Sequence, residues 1–467
     1  MRRADIFGYR RRPPKGLRLQ GSATDARWYL LGLALLVAGI PLHQPLLAIL
    51  GILLLLVLGI TDIWAKYCLY DLQYQRSFSE QRVLFGEEIT LSLTIENAKL
   101  LPLPWLEIED MTPQFLKIKD QDLRRAIHSN MLLLDCLFSP GWYERVTRHY
   151  SVQCNTRGVH TFGPTTLRSG DVFGFTSREM ELSNRQFVLV YPLVVPLTRI
   201  GLPARHPFGD QRAQRRLLED PSRVIGIRDY HYGDSLRRVH WKATARALQM
   251  QSKVYEPTTT YTMVIFLNLE SRPDTHYGIH PELQELSICA TASITNWAID
   301  NSYAVGFYAN TIMYIPDEEI SLRNEQGEEE DLEMALAAQL RRRRISIPIS
   351  SSGEQRTHIM EALARIQGYF GSNIEDIIQT ERSRLPAGAT IVLITSTLSE
   401  QMVDKLLQLR RGGHAVTVLF VSDTPAPAKI SGITIYHIGG ETTWGALVSS
   451  HNKQPSESAA EATSFQL

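Results

Sequence analysis

Two apolar runs, Trp28 to Leu42 and Leu46 to Ile60, fall within the first sixty residues, with Pro-Leu-His-Gln-Pro between them at 41–45. A spanning helix needs about 20 predominantly apolar residues. The first run is short for that unless flanking residues such as Arg27 extend their charged heads into the interface. The pattern predicts a transmembrane helical hairpin over 27–66, with a tight turn on the far side. Trp28 and Tyr29 would then share one membrane interface with Trp64 and Tyr67, as an aromatic belt. Residues 1–26 form a basic tail carrying Arg2, Arg3, Arg10, Arg11, Arg12, Lys15 and Arg18. The positive-inside rule puts that tail in the cytoplasm. The expectation is a multi-pass inner (plasma) membrane protein, with its N-terminus and C-terminal domains cytoplasmic. A signal peptide followed by one anchor is the competing pattern, but no clear small-residue cleavage site precedes the second run.

A chain of 467 residues exceeds one ordinary core, so two or three domains are expected. Its 49 basic and 49 acidic residues balance, so net charge singles out no partner. Cys68, Cys136, Cys154 and Cys289 lack CxxC spacing, which argues against a disulfide framework or a zinc site and suits a reducing compartment.

Over 67–196 the period is two. In Leu84 to Glu96, the residues Ile89, Leu91, Leu93 and Ile95 alternate with polar positions, as in a half-buried strand. Turn signals at 155–158 and 162–164, and the short run Phe187 to Tyr191, add to a small antiparallel β-sandwich. Asp171 reads as a turn cap.

Over 261–450 apolar strands alternate with helical patterns. Thr262 to Leu269 and Thr390 to Thr395 are continuous apolar runs of the kind buried on both faces. Strands are expected at Tyr303 to Tyr308, Ile312 to Ile315, Ala415 to Val421 and Ile433 to Ile438. Helices are expected at 283–299, 332–340, 357–366, 374–381, 401–409 and 443–448. This order implies a doubly wound α/β domain. Acidic residues at 328–333 and Arg341 to Arg344 flank one predicted helix in the sense that suits its dipole; an interaction patch is the other reading. Residues 451–467 are poor in hydrophobes and predicted disordered.

Between these domains, 197–260 form a junction segment. Its basic residues include Arg223, Arg228, Arg237, Arg238, Lys242, Arg246 and Lys253, interleaved with Tyr230, Tyr232, Trp241 and Tyr255. Asp234 is positioned to cap a helix over the following residues. That helix would bring Arg238, Lys242 and Arg246 onto one face and Val239, Ala243 and Ala247 onto another. Gln249 to Glu256 reads as a strand. Guanidinium groups so placed suit an acidic partner or an anion. The competing reading, which the interleaved Tyr and Trp favour, is an internal ion-pair clamp through Asp229, Asp234 and Glu256 onto the α/β domain. No nucleic-acid-binding motif is present.

The array Gly226-x-Arg228-x-Tyr230-x-x-Gly233-Asp234-x-x-Arg237-x-x-His240-Trp241-Lys242-x-x-Ala245-Arg246, continued by Lys253 and Glu256, resembles the signature of the domain-of-unknown-function-58 family. Many members carry an aspartate where this chain has His240. The resemblance implies two N-terminal spans, a β region and a C-terminal domain similar to von Willebrand factor type A. Many type A domains hold magnesium through Asp-x-Ser-x-Ser after the first strand. Here the corresponding residues are Asn268, Glu270 and Arg272, a degenerate site, and Asn268 reads instead as a strand-end cap. The resemblance further implies a MoxR-type AAA+ ATPase as working partner.

No catalytic triad, phosphate-cradling glycine loop, paired catalytic carboxylates or HExxH stands out. The sequence therefore points to a non-enzymatic, membrane-anchored interaction or adaptor protein with no cofactor, acting in assembly or maturation of other proteins or envelope components. Its expected interaction residues are Arg228, Tyr230, Gly233, Asp234, Arg237, Arg238, Trp241, Lys242, Arg246 and Glu256. A sensor or enzyme acting on an anionic small ligand, with His240 as its titratable group, is the alternative. A purely structural envelope scaffold is a third.

Overall fold

The computed structural model describes residues 26–41, 43–121, 123–126, 131–172, 176–203, 207–208, 219–232, 234–257, 261–271, 280–316, 344–368, 373–426 and 430–452. They divide into two compact units. One runs through Tyr191 and takes up Ile315 again; the other is Pro192–Tyr314 with the described residues from 344 onward.

The first unit begins with α1 (Ala26–Gly39) and α2 (Pro45–Tyr67). Pro45 lies in the first turn of α2, where its missing N–H costs nothing. The two helices pack in opposite directions, Gly32 against Leu55 and Gly39 against Ala48. Glycine makes this approach possible: a Cβ on Gly51 would lie 2.6 Å from the Leu36 backbone nitrogen. The Tyr29 hydroxyl donates to Asp62 (2.5 Å) and to the Leu58 carbonyl (3.1 Å). By length and composition α2 is able to cross a membrane; the apolar part of α1 is shorter. Trp64 was expected in an interfacial belt. It packs instead against the β core, because the end of α2 runs into that core, where Cys68 and Leu69 are buried.

The strands that follow are β1 (Leu72–Phe78), β2 (Arg82–Val83), β3 (Glu88–Asn97), β4 (Leu106–Pro113), β5 (Lys117–Ile118), β6 (Arg124–Arg125), β7 (Met131–Phe138), β8 (Arg145–Gln153), β9 (Gly158–Phe162), β10 (Thr165–Gly170), β11 (Ser177–Leu182) and β12 (Gln186–Val190). They form sheets ordered β1-β3-β8-β5, β11-β10-β4-β7-β6 and β2-β12-β9. All pairs are antiparallel except β12 with β2. Ile89, Leu91, Leu93 and Ile95 of β3 point inward to meet Leu106 and Ile108 of β4, Leu134 and Cys136 of β7, and Leu167 of β10.

An ion pair lies inside this core. Arg76 of β1 donates from Nε to Asp110 Oδ2 of β4 (2.8 Å), and its Nη2 also pairs with Asp110. Both side chains are wholly buried. Thr165 of β10 donates to Asp110 (2.8 Å) and accepts from Arg76 (2.8 Å), and the Tyr74 hydroxyl donates to Asp110 (3.1 Å). Burial first, and then the Asp110 carboxylate, pushes the Tyr74 phenol well above its usual range. Asp171 accepts from the Thr176 N–H (2.6 Å), closing the β10–β11 turn.

In the second unit a ribbon of β13 (Glu219–Asp229), α3 (Trp241–Ala247) and β14 (Gln251–Pro257) precedes the α/β domain. That domain comprises β15 (Tyr261–Leu267), α4 (Pro281–Asp300), β16 (Tyr303–Ile312), β17 (Arg344–Ser350), α5 (Gln355–Ala364), α6 (Ile374–Glu381), β18 (Thr390–Thr395), α7 (Glu400–Arg411), β19 (Ala415–Val421), β20 (Thr434–Gly439) and α8 (Glu441–Asn452). The sheet order is β17-β16-β15-β18-β19-β20, parallel except for β17 at one edge. Met263 to Leu267 and Ile391 to Ile394 are buried in the centre, as their unbroken apolar character demands. Ile374, Ile377, Ile378 and Glu381 form the inward face of α6.

Two expectations are corrected. Where two short strands, 303–308 and 312–315, were expected, one strand runs from Tyr303 to Ile312, and Met313 beyond it makes an isolated bridge with Ile366. Strand β17 begins at Arg344, the last residue of the arginine run. The helix expected at 332–340 and its acidic flank lie outside the described residues.

Removing one member of a buried, hydrogen-bonded ion pair strands the other charge, which costs about 3–5 kcal/mol. Asp110→Ala is therefore expected to lower unfolding stability by about that amount in a denaturant titration. A loss under about 1 kcal/mol would mean that water reaches the pair.

Candidate functional site

The motif hangs on the ladder between β13 and β14, where Gly226 faces Val254, Arg228 faces Ser252 and Asp229 faces Gln251. Between the strands the chain does not form the long helix expected from Asp234. It makes one 3-10 turn at Leu236–Arg238, returns to the ribbon where Val239 bridges Ser252, and only then enters α3. Val239 is 3% exposed and pins the crossing. It is thus no part of a helical stripe with Ala243 and Ala247, and Arg238 shares no helix face with Lys242. Lys242 and Arg246, four apart on α3, do share one.

Asp234 serves the turn that precedes this. Its carboxylate accepts from Arg228 Nη2 (2.8 Å) and from the His231 N–H (3.0 Å). The Arg228 hydrogen bond, then the His231 N–H, holds that carboxyl below its ordinary range. The Tyr230 hydroxyl donates to the Asp234 carbonyl (2.9 Å), and Gln251 Nε2 donates to Asp229 (2.6 Å). Arg228, Tyr230 and Asp234 therefore build the turn.

His240 is the N-cap of α3. Its backbone N–H donates to the Gln251 carbonyl (2.8 Å), and its Nδ1 accepts from the Ala243 N–H (3.1 Å). Aspartate is among the best residues for that task. The position of His240 is thus a capping position, and the histidine meets the geometric need that an aspartate would.

The remaining motif residues face solvent. Arg237, Lys242 and Arg246 are exposed and make no ion pair among the described residues. Trp241 is 68% exposed, Leu236 66% and Leu248 92%. Arg238 is half-buried. Glu256 pairs with Asp220 through the ladder, its side chain being outside those described, as is Gly233. Of the expected clamp, the Arg228–Asp234 pair is present, and it lies within the turn.

At the carboxyl end of β15, where ligands of open α/β sheets bind, Asn268 is 1% exposed. Its Oδ1 accepts from Asn310 Nδ2 (2.6 Å) and the Glu270 N–H (3.2 Å), while its Nδ2 donates to Thr395 Oγ1 (3.0 Å). The amide thereby joins the ends of β15, β16 and β18. No cluster of three or more metal-ligating side chains occurs among the described residues. Arg272 lies outside them.

These features define a class: a β-sandwich unit entered by an apolar helix, and an α/β unit preceded by a basic, aromatic ribbon. Residues 226–430 match the family described as protein of unknown function DUF58. Uncharacterized protein YeaD of Bacillus subtilis is 23% identical over 244 residues, 52% of this chain and 56% of that protein. The chain thus spans about half the length of that relative. Among solved structures, a CARDB domain from Pyrococcus furiosus is similar over 26% of this chain and 87% of its own, at 12% identity and a TM-score of 0.18. A cohesin module from a Clostridium perfringens family 33 glycoside hydrolase is similar over 26% and 95%, at 12% identity and a TM-score of 0.19.

Losing an N-cap acceptor costs about 1 kcal/mol. His240→Ala is expected to destabilise by that amount in thermal melts, whereas His240→Asp leaves the midpoint equal or higher. A fall with His240→Asp would show that the imidazole does more than cap.

Proposed function

We propose that this chain is a non-enzymatic, membrane-anchored adaptor. In this reading α1 and α2 are a transmembrane helical hairpin in the inner (plasma) membrane, with both larger units cytoplasmic. The β-sandwich is the stalk, and the α/β domain, similar to von Willebrand factor type A, is the recognition head. Counted from β15, its strands run 3-2-1-4-5-6 with an antiparallel edge, which supports the type A-like reading. The partner is an acidic protein surface, taken from the family resemblance to be a MoxR-type AAA+ ATPase that acts with it on other proteins or envelope components.

The observation that carries this reading is the exposure of Arg237, Trp241, Lys242 and Arg246 on a ribbon braced by its own backbone and turn. Trp and Arg dominate binding energy in interfaces. Leu248 adds to it: it ends α3 in the left-handed conformation, φ 54°, with its side chain in water. Glycine is far cheaper there. An exposed leucine kept at strained backbone suits a contact better than a fold. The small-ligand alternative has less support, because His240 Nδ1 is engaged as a helix cap.

Reversing both charges, Arg237→Glu with Lys242→Glu, is expected to cut nucleotide-dependent capture of the ATPase from solubilised membranes at least about ten-fold. The thermal midpoint should stay near wild type, since exposed substitutions usually cost under about 0.5 kcal/mol. Loss of the cooperative melt would instead identify the cluster as an internal clamp.

Leu248→Gly should separate stability from binding. It is expected to gain roughly 1 kcal/mol of stability and to weaken capture. Unchanged capture would remove Leu248 from the contact.

A further inference from the structure

One end of the sandwich is unlike the rest. Strand β1 starts at Leu72 opposite Asn97, β4 starts at Leu106 opposite Phe138, and β8 starts at Arg145 opposite Glu96. Ser169 of β10 faces Leu106, and Gly170 faces Ser177. The loops at 98–105 and 139–144, and the turn that opens at Asp171, therefore all lie at the end where α2 enters.

These segments are tied to one another and to the chain leaving α2. The Ala98 N–H donates to the Asp71 carbonyl (3.1 Å), the Tyr143 N–H to Lys99 (3.2 Å) and the Leu103 N–H to Pro140 (2.9 Å). Asn97 Nδ2 donates to the carbonyls of Leu101 (2.9 Å) and Gly141 (2.7 Å), Lys99 Nζ to Tyr70 (2.7 Å), and Trp105 Nε1 to Asp171 (3.1 Å). From this braced frame Tyr67, Tyr70, Leu100, Trp142, Tyr143 and Val172 project, each between 46% and 69% exposed. Tyr143 sits at φ 51°, a backbone region costly for an aromatic residue.

We propose that this end of the sandwich is a collar that seats on the bilayer, its aromatic and aliphatic side chains lying in the phospholipid headgroup and ester layer around α2. The inference rests on the reading of α1 and α2 as membrane spans. The occupant follows from continuity. The helix that is apolar from Pro45 packs its last turns on the sandwich core through Trp64 and Cys68, so the bilayer boundary falls just before them. Trp and Tyr favour that boundary, their rings half in hydrocarbon and their polar tips in the wet layer. Charge at this end is mixed. Lys66 and Lys99 stand against Asp71 and Glu144, the Glu144 carboxylate accepting from the Gly141 N–H (2.6 Å), while Arg145 is paired with Glu96. Seating therefore draws on ring insertion rather than anionic lipid, and holds on zwitterionic phosphatidylcholine.

The test uses the full chain reconstituted in phosphatidylcholine bilayers. Single cysteines replace Trp142 in the collar, Leu53 in the middle of α2 and Phe115 at the opposite end of the sandwich. Each carries an environment-sensitive fluorophore; the four native cysteines are buried thiols, which directs labelling to the introduced site. Quenching by nitroxide-labelled lipid should be several-fold stronger at Trp142→Cys than at Phe115→Cys, and strong at Leu53→Cys. Equal quenching at positions 142 and 115, with Leu53→Cys quenched, overturns the collar and leaves the anchor standing. Leu53→Cys unquenched overturns the anchoring beneath it. Position 142 shielded from an aqueous quencher yet untouched by lipid nitroxide assigns the loops to a protein neighbour and also overturns the collar.

Discussion

Across the ladder of β13 and β14, Asp229 faces Gln251, and what the family segment presents depends on that pairing. The ribbon is stiffened from within. Val239 returns to Ser252, the His240 N–H reaches Gln251, and Asp234 gathers Arg228 and the His231 N–H. Backbone and turn do this bracing, while Arg237, Lys242, Arg246 and Trp241 are exposed. A basic cluster that held the fold together would be buried and paired. This one is exposed, which supports the proposal that it is a surface for another molecule.

The two units divide their stabilising devices differently. The α/β domain relies on continuous apolar strands buried on both faces, and at the strand ends Asn268, Asn310 and Thr395 satisfy one another. The sandwich instead places an ion pair in its core, linking β1 of one sheet to β4 and β10 of the other. Such a pair adds little net stability over apolar packing, but its loss is costly.

Much of this was legible in the sequence. Period-two alternation located β3, and apolar runs located β15 and β18. The core ion pair was missed although its signal was present: Arg76 is in phase with Tyr74 and Phe78, and Asp110 with Leu106 and Ile108, so both fall on inward faces. The start of α3 was missed because Asp234 followed by helix-forming residues imitates a capped helix. The return of Val239 to Ser252 is a tertiary event that local propensity does not register. Strand β17 was missed because an arginine run and Pro348 disguise an edge strand. The burial of the motif residues was not legible, because spacing alone does not say which face of a ribbon meets solvent.

The most direct measurement is covalent footprinting of Trp241, Lys242 and Arg246, read by mass spectrometry in the purified protein and in native membranes. The account predicts free reaction in the purified chain and protection in the membranes, where a partner is present. Protection in the purified chain, or equal reactivity in both, would contradict it.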